Sequence, residues 1–103
     1  MFLINSDNAL AVTYNDKSVL ENFHIASMFR ITQEKSCNIF EEFSRDDYVS
    51  MRSKIIAMVL ATDISRHFSD LSKFKTKFTT GEVVVDDKVI FLEMIMHACD
   101  ISN

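Results

Sequence analysis

The chain contains a single glycine, Gly81, and no proline among its 103 residues. β-Sandwiches and barrels need turn residues every few positions, so a sequence with almost no glycine or proline disfavours them. The pattern therefore predicts an all-α fold with long helices and few sharp turns. Hydrophobic residues make up 48% of the chain, which is enough to fill a core, and the length suits one domain.

Composition and charge exclude several classes of function. The net charge is −4 and the isoelectric point is about 5.2, so the chain lacks the basic surface typical of a nucleic-acid-binding domain. No stretch of sequence approaches the roughly 20 apolar residues that span a bilayer, and the first residues lack the pattern of a signal peptide. Cys37 and Cys99 do not have metal-binding spacing, and we expect them to be free thiols in a reducing compartment. The expectation is a cytoplasmic chain with no nucleic-acid partner. Oligomeric state and any membrane attachment of a longer protein stay open.

Capping signals mark the starts of three helices. Ser18 precedes Glu21 by three positions, which is the spacing of a capping box, and Ser44 precedes Asp47 in the same way. The acidic pair at residues 86–87 precedes the last helical segment. Together with the spacing of apolar residues, these signals predict helices at residues 19–33, 37–43 (a short turn), 44–78 and 88–99, a loop at 79–82 and an extended link at 83–85.

Residues 55–67 form the most informative stretch of the sequence. The apolar run at residues 55–61 predicts a helix that is buried on nearly all sides. The run then turns polar at Thr62, Asp63 and His67. Threonine and aspartate side chains compete for backbone hydrogen bonds, so we expect the helix to break and restart near Thr62 and Asp63. The stretch predicts a buried wall whose far end faces a polar site.

Histidines and carboxylates at helical spacing are further candidates for chemistry. Glu21 and His24 lie three positions apart on one helix face, and His97 and Asp100 have the same spacing. Helical folds build metal sites from such pairs when the helices face a common cavity. Each residue also has a structural interpretation: Glu21 as a capping-box glutamate, His24 as a core histidine and Asp100 as an ordinary helix-end residue. Spacing alone leaves both interpretations open.

Three segments resemble blocks of the class I cyclic nucleotide phosphodiesterase catalytic domain. They are LAVTYNDKSVLENFH at residues 10–24, MVLATDISRH at 58–67 and MHACDISN at 96–103. The corresponding family blocks read approximately LALxYND-SVLENHH, MVLATDMSKH and VHCADLSN. All three occur here in the same order, and the resemblance runs through almost the whole chain.

The resemblance implies an all-helical catalytic domain of the HD superfamily, of which this chain would be a multi-helix fragment. Such a domain hydrolyses the 3′ ester of cAMP or cGMP to the 5′ nucleotide in signal transduction. Two divalent metal ions, zinc and magnesium or manganese, share a bridging hydroxide that attacks phosphorus. A phosphodiester is anionic and reacts slowly, so the metals both generate the nucleophile and neutralise developing charge.

The resemblance also implies roles around the metals for four residues. Asp100 corresponds to the aspartate that ligates the zinc-type ion, and oxygen ligation suits both metals. Glu21 corresponds to the glutamate that holds metal-bound water, and Thr62 to the threonine of the same water network. His24 matches the second histidine of the ENHH word and would orient water or a ligand without binding metal itself.

Three further residues match positions that contact the nucleotide in the family. Asn103 matches the asparagine that hydrogen-bonds the purine. Ile64 and Ile101 match apolar positions of the nucleotide pocket, where the family usually has Met and Leu. The remaining polar residues of the motif words are interpreted as structural and are expected to form mainly helix-to-helix hydrogen bonds: Asp63, His67 and His97.

The sequence departs from the family pattern in ways that bear on activity. Phe23 replaces the first histidine of ENHH, so this position cannot supply a polar group. The upstream words HNxxH and HDxxHPGxxN, which carry the other metal ligands, do not occur here, nor do the downstream glutamine and aromatic residue that hold the purine. The resemblance therefore implies an internal piece of a longer domain, inactive alone. The preference for cAMP or cGMP stays open.

Two alternatives to an enzyme remain. The first is a catalytically dead phosphodiesterase-like protein that serves as a regulatory or interaction module, which the substitution at Phe23 favours. The second is a stand-alone helical adaptor, which would not account for three motif blocks in the family order. The upstream words distinguish the first alternative from the enzyme, because intact ligand histidines favour catalysis.

Overall fold

The computed structural model describes residues 2–80 and 87–102, except for the side chains of Phe78 and Thr80. All regular secondary structure in these ranges is helical, which confirms the predicted all-α fold. Two 3₁₀ turns, Lys35–Cys37 and Ile64–Arg66, separate longer elements. The α-helices are α1 (Phe2–Asn5), α2 (Ala9–Thr13), α3 (Val19–Ile31), α4 (Arg45–Leu60), α5 (His67–Thr80) and α6 (Lys88–Ile101).

The chain divides into two compact units, which we call the N-terminal unit (residues 1–50) and the C-terminal unit (residues 51–103). The division falls within α4. The N-terminal unit contains α1 to α3 and the first turns of α4, and the C-terminal unit contains the rest of α4 with α5 and α6.

In the N-terminal unit, α2 packs against α1 and α3. Neither α1 nor α2 was predicted, because both are too short to show a helical period. Asn8 caps α2: its Oδ1 accepts a hydrogen bond of 2.9 Å from the backbone N–H of Leu10. The turn into α3 has left-handed backbone at Asn15 (φ 53°) and Asp16 (φ 61°), two residue types that tolerate this conformation.

The first predicted capping box is wrong, and the second cap is confirmed. Ser18 is at the N-cap of α3, but its backbone is left-handed (φ 41°) and its side chain does not cap the helix, whereas a capping serine normally has extended backbone. At the start of α4, Ser44 Oγ accepts a hydrogen bond of 3.1 Å from the N–H of Asp47 and donates one of 2.6 Å to its carboxylate.

The core of the N-terminal unit combines small aliphatic residues with an aromatic cluster. Phe29 of α3 is only 3% exposed, and its ring centroid lies 6.4 Å from those of both Phe40 and Tyr48. Phe40 in turn lies 5.7 Å from Phe43. These contacts join α3, the segment after the 3₁₀ turn and the start of α4. The other buried residues of this unit are Ala11, Val19 and Ile25.

In the C-terminal unit, the predicted break near Thr62 is confirmed. The Thr62 hydroxyl donates to the carbonyl of Val59 at 2.8 Å. Asp63 Oδ1 accepts from the N–H of Ser65 at 2.9 Å, so both side chains bind backbone groups locally. The predicted burial of residues 55–61 is wrong except at Ala61 (4% exposed), because residues 55–60 are half-buried on every side.

Helices α5 and α6 pack against each other and run in opposite directions, since low numbers on α5 pair with high numbers on α6. His67 contacts His97 at one end, and the rings of Phe74 and Phe91 are 5.7 Å apart between their centroids near the middle. Lys77 forms an ion pair with Asp87 at the other end.

Two predictions about the ends of α5 and α6 are wrong. Asp87 is at the N-cap of α6, but its carboxylate binds Lys77 instead of capping the helix. Thr79 and Thr80 belong to α5 and not to a loop, and the Thr79 hydroxyl donates to the carbonyl of Lys75 at 2.8 Å. The predicted link at residues 83–85 and the aspartate at position 86 lie outside the described residues.

None of the helices within residues 2–80 and 87–102 combines the length and the apolar character that crossing a membrane would require.

Candidate active site

Asp100 lies in the last turn of α6 with an exposed side chain. The helix ends one residue later, where the Ser102 N–H donates to the carbonyl of Ala98 at 3.0 Å. A negative charge at a helix C-terminus is disfavoured by the partial negative charge of the last carbonyl groups. A bound cation would relieve this repulsion, so the position suits a carboxylate that ligates metal.

Thr62 is half-buried in the break between α4 and α5. Its hydroxyl hydrogen is engaged by the carbonyl of Val59. A hydroxyl oxygen also has two acceptor lone pairs, so Thr62 can enter a water network as an acceptor.

The two isoleucines expected in the nucleotide pocket are exposed. Ile64 is 66% exposed in the 3₁₀ turn before α5, and Ile101 is 53% exposed at the end of α6. Exposure of an isoleucine leaves its apolar surface available for a planar ligand, and burial would have argued against the assignment. Asn103, the expected purine contact, lies outside the described residues.

Glu21 and His24 lie on α3 of the N-terminal unit. His24 is exposed, with its ring centroid 6.0 Å from that of Phe23, so its interpretation as a core histidine is wrong. Glu21 is half-buried, and the capping box that would have explained it is not formed. The structure therefore supports neither the capping-box interpretation of Glu21 nor the core interpretation of His24.

The described residues do not by themselves form a metal centre. Within residues 2–80 and 87–102, no three His, Cys, Asp or Glu side chains are grouped so that they could hold an ion. Asp100 supplies one carboxylate, and a two-metal site needs several ligands for each cation. The two-metal centre that the resemblance implies would therefore require ligands beyond these residues.

The two structural histidines contact each other. His67 Nδ1 lies 2.6 Å from His97 Nε2, and the ring centroids are 4.9 Å apart. His97 is only 4% exposed. The predicted helix-to-helix hydrogen bonding is thus confirmed for this pair. Asp63 Oδ1 accepts a hydrogen bond from Ser65 within the local turn.

A charged cluster between α5 and α6 was missed in the sequence. Asp70 forms ion pairs with Arg66 at 3.4 Å and with Lys73 at 3.2 Å. Burial raises the pKa of the Glu93 carboxyl above its usual value, and the charge of Asp70 raises it further, while Arg66 and Lys73 oppose the shift. The sequence did contain a signal for this cluster. Asp70 lies three residues after His67 and Glu93 lies four residues before His97, so each carboxylate shares a helix face with one of the histidines.

The N-terminal unit contains an open cavity of about 360 Å³ next to the aromatic cluster, lined in part by Phe40, Phe43, Arg45 and Tyr48. None of the predicted site residues lines it. We therefore do not assign it to the candidate site.

Comparison with known proteins bears on the whole chain. The family model of 3′,5′-cyclic nucleotide phosphodiesterase matches residues 1–103. The human dual specificity calcium/calmodulin-dependent 3′,5′-cyclic nucleotide phosphodiesterase 1B is 43% identical over 102 residues, which cover 99% of this chain and 19% of the relative. The 3′,5′-cyclic-AMP phosphodiesterase 4C of Rattus norvegicus is 41% identical over 111 residues, covering 99% and 21% of the two chains.

The fold is shared with a solved phosphodiesterase domain. The crystal structure of the phosphodiesterase domain of the RhoPDE fusion protein from the choanoflagellate Salpingoeca rosetta superposes with a TM-score of 0.93 at 36% identity. The match covers 99% of this chain and 34% of that structure. The chain thus spans about a fifth of the length of the curated relatives (19% of the human protein) and a third of the solved domain. These 103 residues belong to the 3′,5′-cyclic nucleotide phosphodiesterase family.

Proposed function

We propose that the protein carrying these residues hydrolyses 3′,5′-cyclic nucleotides to 5′ nucleotides in signal transduction, with this chain as one part of the catalytic domain. The observation that carries the proposal is the family match over every residue of the chain. The human relative is named for dual specificity and the rat relative for cyclic AMP. The choice between cAMP and cGMP is left open.

In this proposal Asp100 is the metal ligand that the chain contributes. Its side chain is exposed at the end of α6, and the helix terminus favours a neighbouring cation. Two divalent ions, zinc with magnesium or manganese, would supply the activated hydroxide when bound. The remaining ligands would come from outside this chain.

Glu21, Thr62 and His24 are proposed to act on water around the metals. Thr62 would accept a hydrogen bond from water, since its own hydrogen is held by the Val59 carbonyl. Glu21 would accept hydrogen bonds as a carboxylate, and the exposed imidazole of His24 would orient water or a ligand.

The nucleotide itself would contact Asn103, Ile64 and Ile101. The exposed side chains of the two isoleucines are available to pack against a purine, and the amide of Asn103 can donate and accept hydrogen bonds at its edge. A cytoplasmic location agrees with these substrates and is part of the proposal.

A catalytically dead regulatory module is the second candidate, and Phe23 is the observation that favours it. Phe23 stands where the family has a histidine and is 37% exposed, so its ring occupies a position that elsewhere carries a polar group. Phe23 removes no direct metal ligand of the family, however, so the enzyme is the better supported function.

Hydrolysis of cAMP and cGMP by the full-length protein tests the proposal. With zinc and magnesium present, we expect one or both nucleotides to be converted to the 5′ nucleotide, and we expect the 103-residue chain alone to convert neither. A full-length protein that binds metal but hydrolyses neither nucleotide would overturn the enzyme and support the module.

A further inference from the structure

The contact between His67 and His97 joins the two segments of the C-terminal unit that carry its candidate site residues. His67 is the first residue of α5 and directly follows the 3₁₀ turn that begins at Ile64, two residues after Thr62. His97 lies in the last turns of α6, just before Asp100 and Ile101. The hydrogen bond spans 30 residues of sequence, so it links two segments that lie far apart along the chain.

The helical geometry of α6 relates the directions of the Asp100 and Ile101 side chains to that of His97. At 100° per residue, Asp100 lies about 60° to one side of His97 around the helix axis, and Ile101 lies about 40° to the other side. His97 is buried while both flanking residues are exposed. Rotation of α6 about its axis would therefore move Asp100 and Ile101 together, and the hydrogen bond of His97 opposes that rotation.

Two other contacts between α5 and α6 lie further from the candidate residues. The rings of Phe74 and Phe91 meet near the middle of the helix pair, and Lys77 binds Asp87 at the opposite end. Aromatic pairs are attractive over ring-centroid separations of roughly 4.5–7 Å, whereas the hydrogen bond at 2.6 Å fixes two nitrogen atoms at a short distance. Of these three contacts, the histidine pair lies nearest to the ends that carry the candidate residues.

The proton arrangement of the pair also follows from its surroundings. One of the two facing nitrogens must carry the hydrogen and the other a lone pair. His97 Nδ1 is buried and has no hydrogen-bond partner among the described residues, and a buried N–H without a partner is costlier than a buried lone pair. His97 therefore donates from Nε2 to Nδ1 of His67.

We propose that His67 and His97 are positioning residues. Their hydrogen bond holds the end of α6 that carries Asp100 and Ile101 against the segment from Thr62 to Ile64. The proposal rests on the proposed function for the roles of those four residues. It concerns how the chain sets their relative placement, and neither histidine is given a direct role in chemistry.

Two substitutions of similar size separate hydrogen bonding from space filling at His97. The amide of His97→Gln places a nitrogen close to the position of Nε2 and can donate to His67. His97→Leu fills comparable volume without a donor. Phe91→Leu serves as the control, because it weakens the same helix pair away from the candidate residues.

Hydrogen exchange of the full-length protein, measured by mass spectrometry, is the first readout. We expect His97→Leu to speed amide exchange about tenfold or more in peptides covering residues 61–66 and 98–102, and His97→Gln to restore the slower rates. Phe91→Leu should leave these two regions unchanged. Equal exchange in His97→Leu and wild type, or no rescue by His97→Gln, would overturn the proposal.

Hydrolysis and metal activation give the second readout. His97→Leu should lower kcat about tenfold and raise the magnesium concentration needed for half activation, and His97→Gln should recover most of both. Unchanged kcat and metal activation in His97→Leu would contradict a positioning role. If the wild-type protein hydrolyses neither nucleotide, the proposed function has failed, and the exchange comparison still decides whether the pair holds the two segments.

Discussion

At the scale of single residues, Phe29 is the largest buried side chain of the N-terminal unit. Among the described phenylalanine and tyrosine side chains it is the one that is buried. Its contacts with Phe40 and Tyr48 connect three successive segments of the chain. Aromatic pairs at these separations add to the stabilisation that burial itself gives.

Removal of the Phe29 ring is predicted to destabilise the chain strongly. Phe29→Ala should lower the free energy of unfolding by about 3–5 kcal/mol, since it leaves a cavity between aromatic neighbours. Phe2→Ala, at a position that is 81% exposed, should change it by less than about 0.5 kcal/mol. Urea unfolding followed by circular dichroism measures both, and similar losses in the two variants would contradict this description of the core.

The cap at Ser44 gives a second prediction for one side chain. Ser44→Ala removes the acceptor of the Asp47 N–H and should lower the free energy of unfolding by about 1 kcal/mol. Ser50→Ala, on an exposed position within the same helix, should be neutral or slightly stabilising because alanine favours helix. The urea midpoint of Ser44→Ala should therefore fall while that of Ser50→Ala stays the same or rises slightly, and a Ser44→Ala midpoint equal to that of wild type would exclude the cap.

Whether the sequence could predict the contact of a side chain depended on how far along the chain its partner lies. Ser44 and Asp63 bind backbone groups two or three positions away, so their spacing was informative. Ser18 has the same sequence signal, but its backbone is left-handed and its side chain does not cap α3. Asp87 binds a lysine ten positions earlier, which no local pattern reveals.

At the scale of elements, the pairing of α5 and α6 organises the C-terminal unit. The contacts fall at positions 67, 74 and 77 of α5, at 97 and 91 of α6, and at the N-cap residue of α6, Asp87. Spacings of three and four residues place side chains on one helix face. Asp70 and Glu93 lie within the same interface, where burial raises the pKa of the Glu93 carboxyl and the charge of Asp70 raises it further.

Glu93 is predicted to make the chain less stable as it ionises. Burial and Asp70 raise its folded-state pKa, so the stability from its protonated form is complete below the unfolded-state pKa of about 4.3 and is lost as pH rises through the folded-state value. Glu93→Gln should therefore raise the free energy of unfolding at pH 7 relative to wild type, with little gain below about pH 4.

Urea unfolding between pH 3.5 and pH 8 measures this dependence. Glu42→Gln, at an exposed glutamate, is the control and should show no comparable change with pH. A gain from Glu93→Gln that is equal at all pH values, or a loss at pH 7, would contradict the stated cause.

Element positions were predicted better than element burial. The near absence of glycine and proline, together with the Thr62–Asp63 break, located α3 to α6 within a few residues of their observed ends. The burial of residues 55–60 depends on which segments pack around α4, and the apolar run carries no information about those segments. The short helices α1 and α2 likewise depend on packing, because α2 packs against both α1 and α3.

At the scale of the whole molecule, the candidate residues are shared between the two units. Glu21 and His24 belong to the N-terminal unit, and Thr62, Ile64 and Asp100 belong to the C-terminal unit. Spacing within the sequence offered both chemical and structural interpretations for most of them. The order of three motif words selected the family, which the match over residues 1–103 then established.

The most direct test of the account is the effect of Asp100→Asn in the full-length protein. The substitution keeps the shape of the side chain and removes the charge that would bind the cation. With zinc and magnesium present, we predict a loss of cyclic nucleotide hydrolysis of at least about 100-fold, together with reduced metal content and an unchanged circular dichroism spectrum. Asp46→Asn, at an exposed aspartate in the first turn of α4, should hydrolyse at the wild-type rate. Full activity and full metal content in Asp100→Asn would contradict the central claim that this chain contributes a metal ligand to a phosphodiesterase.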